Sequence, residues 1–387
     1  MKAILHIGSL KTGTSTIQNF LVKNRESLKK QKIFVPTRDL TGRHIELTAA
    51  TFCFETWKSG PWFPFFGIHV LLLKEGFTTE DQDKLWKNID NEIKTNCHKD
   101  DIVIFTEECL SFHTQKEVEK VKKLMDSLFD DITVVLYLRR QPEFLVSYYY
   151  TLNWNGMTKN IFDYLKVPEE YSNLAYHKIV ERWSIFGKDK LKIRIFDKQE
   201  FHSNDLLADF ANTINFNMTG LERVKNQNIS IDSATVEFLR LLNLYYPAMQ
   251  DPWTHNTGHW SMLSYIDTLA IKNHKAYHLN RSEARQILDQ FREGNDWVAR
   301  EYLGREKLFD EDVSMYPVEV DSPHGLTLEK CAEITAHLYK EQQAVINQQQ
   351  TVIAHHQAAI NQQLTVITQQ QDHISSSYCF VTPKISC

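Results

Sequence analysis

The segment that most limits what this chain can become lies at its start. Residues 2–8, Lys-Ala-Ile-Leu-His-Ile-Gly, read as a short buried strand, and Ser9-Leu10-Lys11-Thr12-Gly13-Thr14-Ser15-Thr16 lead from it into a helical pattern over 14–30. A glycine turn between a strand and a helix presents free backbone N–H groups and the positive end of the helix dipole, and both favour an anion such as phosphate. A strand that hands over directly to a helix in this way belongs to α/β architectures. A plain strand-to-helix turn capped by Ser or Thr would have the same composition, so the register of the loop has to decide between them.

The rest of the first half agrees with an α/β fold. Residues 33–36 form a second short strand, and 102–106 (Ile-Val-Ile-Phe-Thr) and 132–138 (Ile-Thr-Val-Val-Leu-Tyr-Leu) are continuous β-branched apolar runs. Strands covered on both faces of a parallel sheet read this way. Between them Val118, Val121, Leu124 and Leu128 carry helical spacing, and another strand is expected at 191–196. The prediction is a P-loop-like three-layer α/β core with a mainly parallel sheet over 1–220. A mostly helical accessory region without clear strands, on the acceptor side of the site, follows over 221–325.

The last segment is different. Ile346, Ile353, Ile360, Ile367 and Ile374 stand seven apart, Val345, Val352, Ala359 and Val366 keep the same step, and Gln, Asn, Thr and His fill most positions between. The phase extends upstream through Leu338 and Tyr339 to Cys331 and Ala332. A period of seven predicts a long coiled-coil helix over 326–374, a homo-oligomeric stalk of two or three copies, with a disordered tail over 375–387. With Ile at a, the d positions are Gln349, His356, Gln363 and Gln370. A Gln-rich disordered tail is the competing reading of the same composition.

Composition narrows the class. The 387 residues are 42% hydrophobic and 24% charged, with a net charge of −5, which argues against broad nucleic-acid or anionic-membrane binding. Six cysteines without CxxC spacing encode neither a zinc site nor a disulfide scaffold. No apolar run approaches a membrane span or a signal peptide, so the expected location is the cytoplasm, including the inner face of the membrane as a peripheral protein.

The register of the first loop is informative. A nucleotide-triphosphatase loop needs Lys directly after the second Gly, where this chain has Thr14; its Lys11 stands two residues before Gly13. Lys-Thr-Gly-Thr-Ser/Thr after a first strand resembles the 5′-phosphosulfate loop of sulfotransferases that use 3′-phosphoadenosine 5′-phosphosulfate (PAPS). After strand 132–138, Arg139, Pro142 and Ser147 fall on that family's Arg, Pro and Ser spacing. Phe105-Thr106-Glu107-Glu108-Cys109-Leu110-Ser111 is similar to its strand-end glutamate segment, with Thr106 in place of the first Ser, and Tyr176–Trp183 with Phe186-Gly187 resembles its helix–strand passage. The resemblance covers about residues 1–205, excluding 45–100.

The resemblance implies a sulfotransferase moving the sulfuryl group of PAPS to a hydroxyl or amino group of a carbohydrate or glycolipid, with PAP (adenosine 3′,5′-bisphosphate) as product and no metal. It implies that Lys11, Thr12, Gly13, Thr14, Ser15 and Thr16 hold the 5′-phosphate, and that Arg139 and Ser147 read the 3′-phosphate. Lys11 would also stabilise the leaving group. Two bases are in view, Glu108 at a strand end and His44 in Thr41-Gly42-Arg43-His44. The aromatic clusters Trp62–Phe66, Tyr148–Tyr150 with Trp154, and Trp253 with Trp260 are candidates for sugar stacking or plain core. A P-loop kinase using ATP and Mg²⁺, or a non-catalytic nucleotide-binding coiled-coil scaffold, are the alternative readings.

Overall fold

The computed structural model describes residues 1–37, 43–53, 77–166, 173–224, 232–251, 254–269, 279–320 and 325–379. Its centre is a five-stranded, wholly parallel sheet of β1 (Lys2–His6), β2 (Ile33–Phe34), β3 (Ile102–Thr106), β4 (Asp131–Leu138) and β5 (Leu191–Ile195). The strand order is β2-β3-β1-β4-β5. Alternation along β1 sends Ala3 and Leu5 to one face and Ile4 to the other, so both faces need cover.

One face packs on α4 (Thr79–Asn96), α5 (Gln115–Asp126) and α7 (Tyr176–Trp183), with Ile93, Val121, Met125, Ile179 and Trp183 in its core. The opposite face packs on α1 (Thr14–Lys23), α2 (Arg25–Lys30) and α8 (Leu206–Ile214) through Ile17, Phe20, Leu21, Leu28 and Phe210. This is the expected three-layer α/β core. Between α2 and α4 lies α3 (Ile45–Thr51).

The helix expected over 14–30 is divided at Asn24. Its side-chain amide donates to the Phe20 and Glu222 carbonyls at 2.8 and 2.9 Å, and its Oδ1 accepts the Glu222 N–H at 2.7 Å. That fixed side chain ties the bend to the segment after α8.

The region after residue 220 is mostly helical: α9 (Ser233–Tyr245), α10 (Thr257–Leu269) and α11 (Arg281–Val298). It also holds a short antiparallel pair unforeseen in the sequence, β6 (Met249–Asp251) and β7 (Thr254–His255), closed by the Asn256 N–H to the Ala248 carbonyl at 2.9 Å. Helix α11 buries Ile287, Leu288 and Phe291 against Phe144, Leu145 and Tyr148 of α6 (Gln141–Trp154), so this region shares a core with the first half.

The chain ends in one 52-residue helix, α12 (Leu328–Cys379). It runs five residues past 374, so Ser375–Cys379, assigned to a disordered tail from the sequence, are helical. Its start is docked: Ile334 is fully buried, Leu338 packs against the cluster of Leu239, Leu263 and Ile266, and His337 bonds the Tyr265 carbonyl at 2.9 Å. Val345 and Ile346 are half-buried, and from Val352 on the stripe is in the open, with Ile353 65% and Ile374 57% exposed. No described helix is long and apolar enough to cross a membrane.

Candidate functional site

The chain reverses direction across the sheet between β1 and β4. The connection after β1 runs towards β2 and the one after β4 runs towards β5, so their C-terminal ends frame a crevice of the kind where open α/β sheets bind ligands. The first loop, the Glu107-Glu108 turn after β3 and Arg139 after β4 all lie at these ends.

The first loop is held by β4 on one side and β3 on the other. Ser9 N–H donates to the Tyr137 carbonyl and Tyr137 N–H to the Gly8 carbonyl, at 3.0 and 2.7 Å, extending the ladder beyond β1. The Ser9 and Thr12 hydroxyls donate to the Tyr137 and Ser9 carbonyls at 3.2 and 2.5 Å, which folds the loop back on itself. Gly8 adopts φ +88°, and a Cβ there would stand 2.8 Å from Glu108 Cβ. Gly13 adopts φ +76° and caps α1, and a Cβ there would stand 2.4 Å from Leu206 and 3.0 Å from Phe196. Both glycines therefore answer two demands at once, a left-handed backbone and a close neighbour.

No side chain caps α1, and the Thr16 and Ile17 N–H groups turn back to the Gly13 carbonyl at 3.0 and 3.2 Å, so the helix starts directly from the loop. Thr12 and Thr14 are buried, Gly13 and Thr16 partly so, and Ser15 is exposed. Ser147 is half-buried in the second turn of α6.

Two cations meet at the crevice. Arg139 Nη1 donates to the Lys11 carbonyl at 3.0 Å, and its guanidinium lies over the Phe196 ring, 5.6 Å from the centroid. Burial, and then Arg139, hold the Lys11 ammonium below its ordinary pKa, while Glu108 pulls the other way. Burial also holds Arg139 below the usual guanidinium value. Two desolvated positive groups in one loop make a place where an anion relieves an existing electrostatic cost.

The neighbouring Arg140 has a different task. It donates to the Asp310 and Asp312 carbonyls at 2.7 Å each and to Glu143 at 2.6 Å, tying the 310–316 strap to the start of α6. Of the Arg139-Arg140 pair, only Arg139 is directed at the loop.

Glu108 opens a short 3₁₀ turn (Glu108–Phe112) and is buried rather than surface-exposed. Its Oε2 accepts from Gln18 Nε2 at 2.8 Å, and its Oε1 is 3.5 Å from Arg43 Nη2. Arg43 also binds the fully buried Glu107 at 3.0 Å. Burial raises the Glu107 pKa, which Arg43 opposes; burial likewise disfavours the Arg43 charge, but Glu107 and Glu108 outweigh that and raise its pKa.

His44 lies beside the same turn. Its Nδ1 accepts the Thr106 N–H at 2.9 Å, its own N–H donates to the Thr106 carbonyl at 3.1 Å, and its ring packs edge-on to Phe105. An imidazole whose Nδ1 is an acceptor carries its proton, when neutral, on Nε2.

Gln18, Arg43 and Phe196 were missed by sequence reasoning. A glutamine beside Ile17 and three residues before Leu21, on the apolar face of a helix, was the available signal for Gln18. Among the aromatic clusters, Tyr148 and Tyr149 are core. Trp62–Phe66 and Trp253 lie outside the described residues. Among the described residues no group of three His, Cys, Asp or Glu is placed to hold a metal ion.

Comparisons with known proteins add little to this geometry. No protein-family model matches the chain. An uncharacterised protein of Archaeoglobus fulgidus is 23% identical over 207 residues, 52% of this chain and 54% of its own, so the chain spans about half the length of that relative. A solved sulfotransferase domain from the curacin biosynthetic pathway aligns over 75% of this chain and 96% of its own, at 13% identity and a TM-score of 0.32. The α/β assignment stands on the sheet topology itself.

Proposed function

We propose that this chain is a cytoplasmic sulfotransferase that moves the sulfuryl group of PAPS to a hydroxyl, or an amino group, of a carbohydrate or glycolipid. The observation that carries the reading is the meeting of Lys11 and Arg139, two half-buried cationic residues from the ends of adjacent strands joined through the Lys11 carbonyl, at a helix N-terminus with no side-chain cap. A nucleotide with phosphates at both ends of its ribose would offer each of these cations its own anion. In this reading the first-turn amides of α1, with Thr12, Gly13, Thr14, Ser15 and Thr16, hold the 5′-phosphate. Arg139 and Ser147 hold the 3′-phosphate by a charged fork and a hydroxyl.

The donor supplies a sulfuryl group whose bond to the 5′-phosphate oxygen breaks as the acceptor oxygen attacks. In this reading Lys11 neutralises the charge that grows on that oxygen, an interaction that strengthens towards the transition state. Glu108 takes the acceptor proton. His44 is assigned to holding the end of β3, because its Nδ1 is already engaged by a backbone N–H. The kinase reading is weaker because Lys11 stands two residues before Gly13, and Thr14 occupies the place where a triphosphate loop needs its lysine.

The tail belongs to the same proposal. From Val352 on, the seven-residue apolar step of α12 is exposed in this chain, and that step fits a second copy in register. The division into a 1–220 core, a 221–325 acceptor side and a stalk is read accordingly.

Labelled-sulfuryl transfer from PAPS to a panel of desulfated glycans and glycolipids tests the activity. Labelled product with PAPS, and none with labelled ATP and Mg²⁺, is expected. Phosphoryl transfer from ATP would overturn the reading.

A further inference from the structure

We infer that Gln18 is a positioning residue for Glu108, tying the base to the helix that forms the phosphate loop and holding it apart from Lys11. The inference rests on the reading of Glu108 as the base, and adds what places it.

An ammonium and a carboxylate confined to one crevice tend to pair directly. That would hide the lysine's charge from the leaving group and the carboxylate's lone pair from the acceptor. Glu108 does act on Lys11 through space. Its direct partners, however, are Gln18 and Arg43, one at each carboxylate oxygen. Gln18 is 3% exposed and stands one turn beyond Thr14 on α1, so its amide is set by the same helix that starts from the loop. At the loop's other end, a Cβ on Gly8 would stand 2.8 Å from Glu108 Cβ, so a side chain there would push the glutamate away. The carboxylate is thus held by the helix of the strand–loop–helix unit, while the bare Gly8 leaves room for the glutamate's stem. Arg43 closes the other side and is itself anchored by Glu107, which is fully buried.

This arrangement has a chemical consequence. In the transfer step the acceptor O–H proton passes to Glu108 as the oxygen–sulfur bond forms and the sulfur–phosphate oxygen bond breaks. Gln18 touches none of those atoms. It donates one hydrogen bond to Oε2 and leaves the carboxylate able to accept the proton.

A double-mutant cycle tests the inference, using Gln18→Ala, Glu108→Gln and the pair in the full chain, with PAP binding and PAPS turnover measured on each. The turnover probe is labelled sulfate release from PAPS to the glycan that responds in the acceptor panel, or to water. Gln18→Ala is expected to lower kcat about 10–100-fold with PAP affinity within twofold, and to cost nothing further when Glu108→Gln is already present. Gln18→Asn, which keeps the amide but shortens its reach, should recover part of the loss. Parallel loss of PAP affinity and turnover in Gln18→Ala would make Gln18 a plain packing residue and overturn the inference. So would additive losses in the pair, or kcat within twofold of the parent. Full turnover in Glu108→Gln alone would instead remove the base assignment, a separate result read from a separate variant.

Discussion

At the scale of single residues, the site is strained in the direction of its function. Lys11 has φ +60°, is desolvated and stands against Arg139, so its charge is a cost in the free protein. Removing that charge should stabilise the empty chain and disable it. Lys11→Met is expected to raise Tm by about 2 °C, the effect of roughly 1 kcal/mol in a domain of this size, while turnover falls at least 100-fold. Differential scanning calorimetry beside a turnover assay reads both, and an unchanged Tm with full turnover would contradict the electrostatic account. For Arg139→Ala the expectation concerns discrimination. PAP should lose at least tenfold in affinity by calorimetric titration, and adenosine 5′-phosphosulfate, which lacks the 3′-phosphate, much less. Equal losses would place Arg139 outside the 3′-phosphate subsite. The reach of sequence reasoning is visible at this scale. Lys11, Gly13 and Arg139 stand at strand ends that hydrophobic patterning exposes, so they were legible. The Gln18–Glu108 and Arg43–Glu107 contacts join residues 90 and 64 positions apart and leave no periodic trace.

At the scale of elements, patterning located all five strands of the main sheet, because the inner strands are continuous apolar runs covered on both faces and the edge strand β5 alternates Leu191, Ile193 and Ile195 with Lys192 and Arg194. It missed the break at Asn24, which depends on a side chain reaching Glu222 across the fold, and it missed the β6–β7 pair, which has no apolar alternation of its own. The tail shows both outcomes in one helix. The step of seven predicted α12, but the same phase at Leu338 packs on α9 and α10 within the chain, and the stripe is exposed from Val352 on. Deleting 342–387 should reduce the mass in light scattering to that of a monomer and leave turnover on a small acceptor within about twofold. An unchanged mass would refute self-association through the tail.

At the scale of the whole molecule, a three-layer α/β body with a shared helical core carries a crevice at its strand reversal, and α12 extends from the side where α9 and α10 pack. The central claim is that the crevice takes a nucleotide phosphorylated at both ends of the ribose. A ligand that binds the folded chain alone raises its melting temperature by mass action, with about 2.7 kcal/mol of stabilisation at a hundredfold excess over Kd. The direct measurement is a thermal shift of the intact chain with PAP, set against ATP with Mg²⁺ at the same concentration. The account predicts a rise of several degrees with PAP and little or none with ATP and Mg²⁺; the reverse order, or no response to PAP at millimolar concentration, would contradict it.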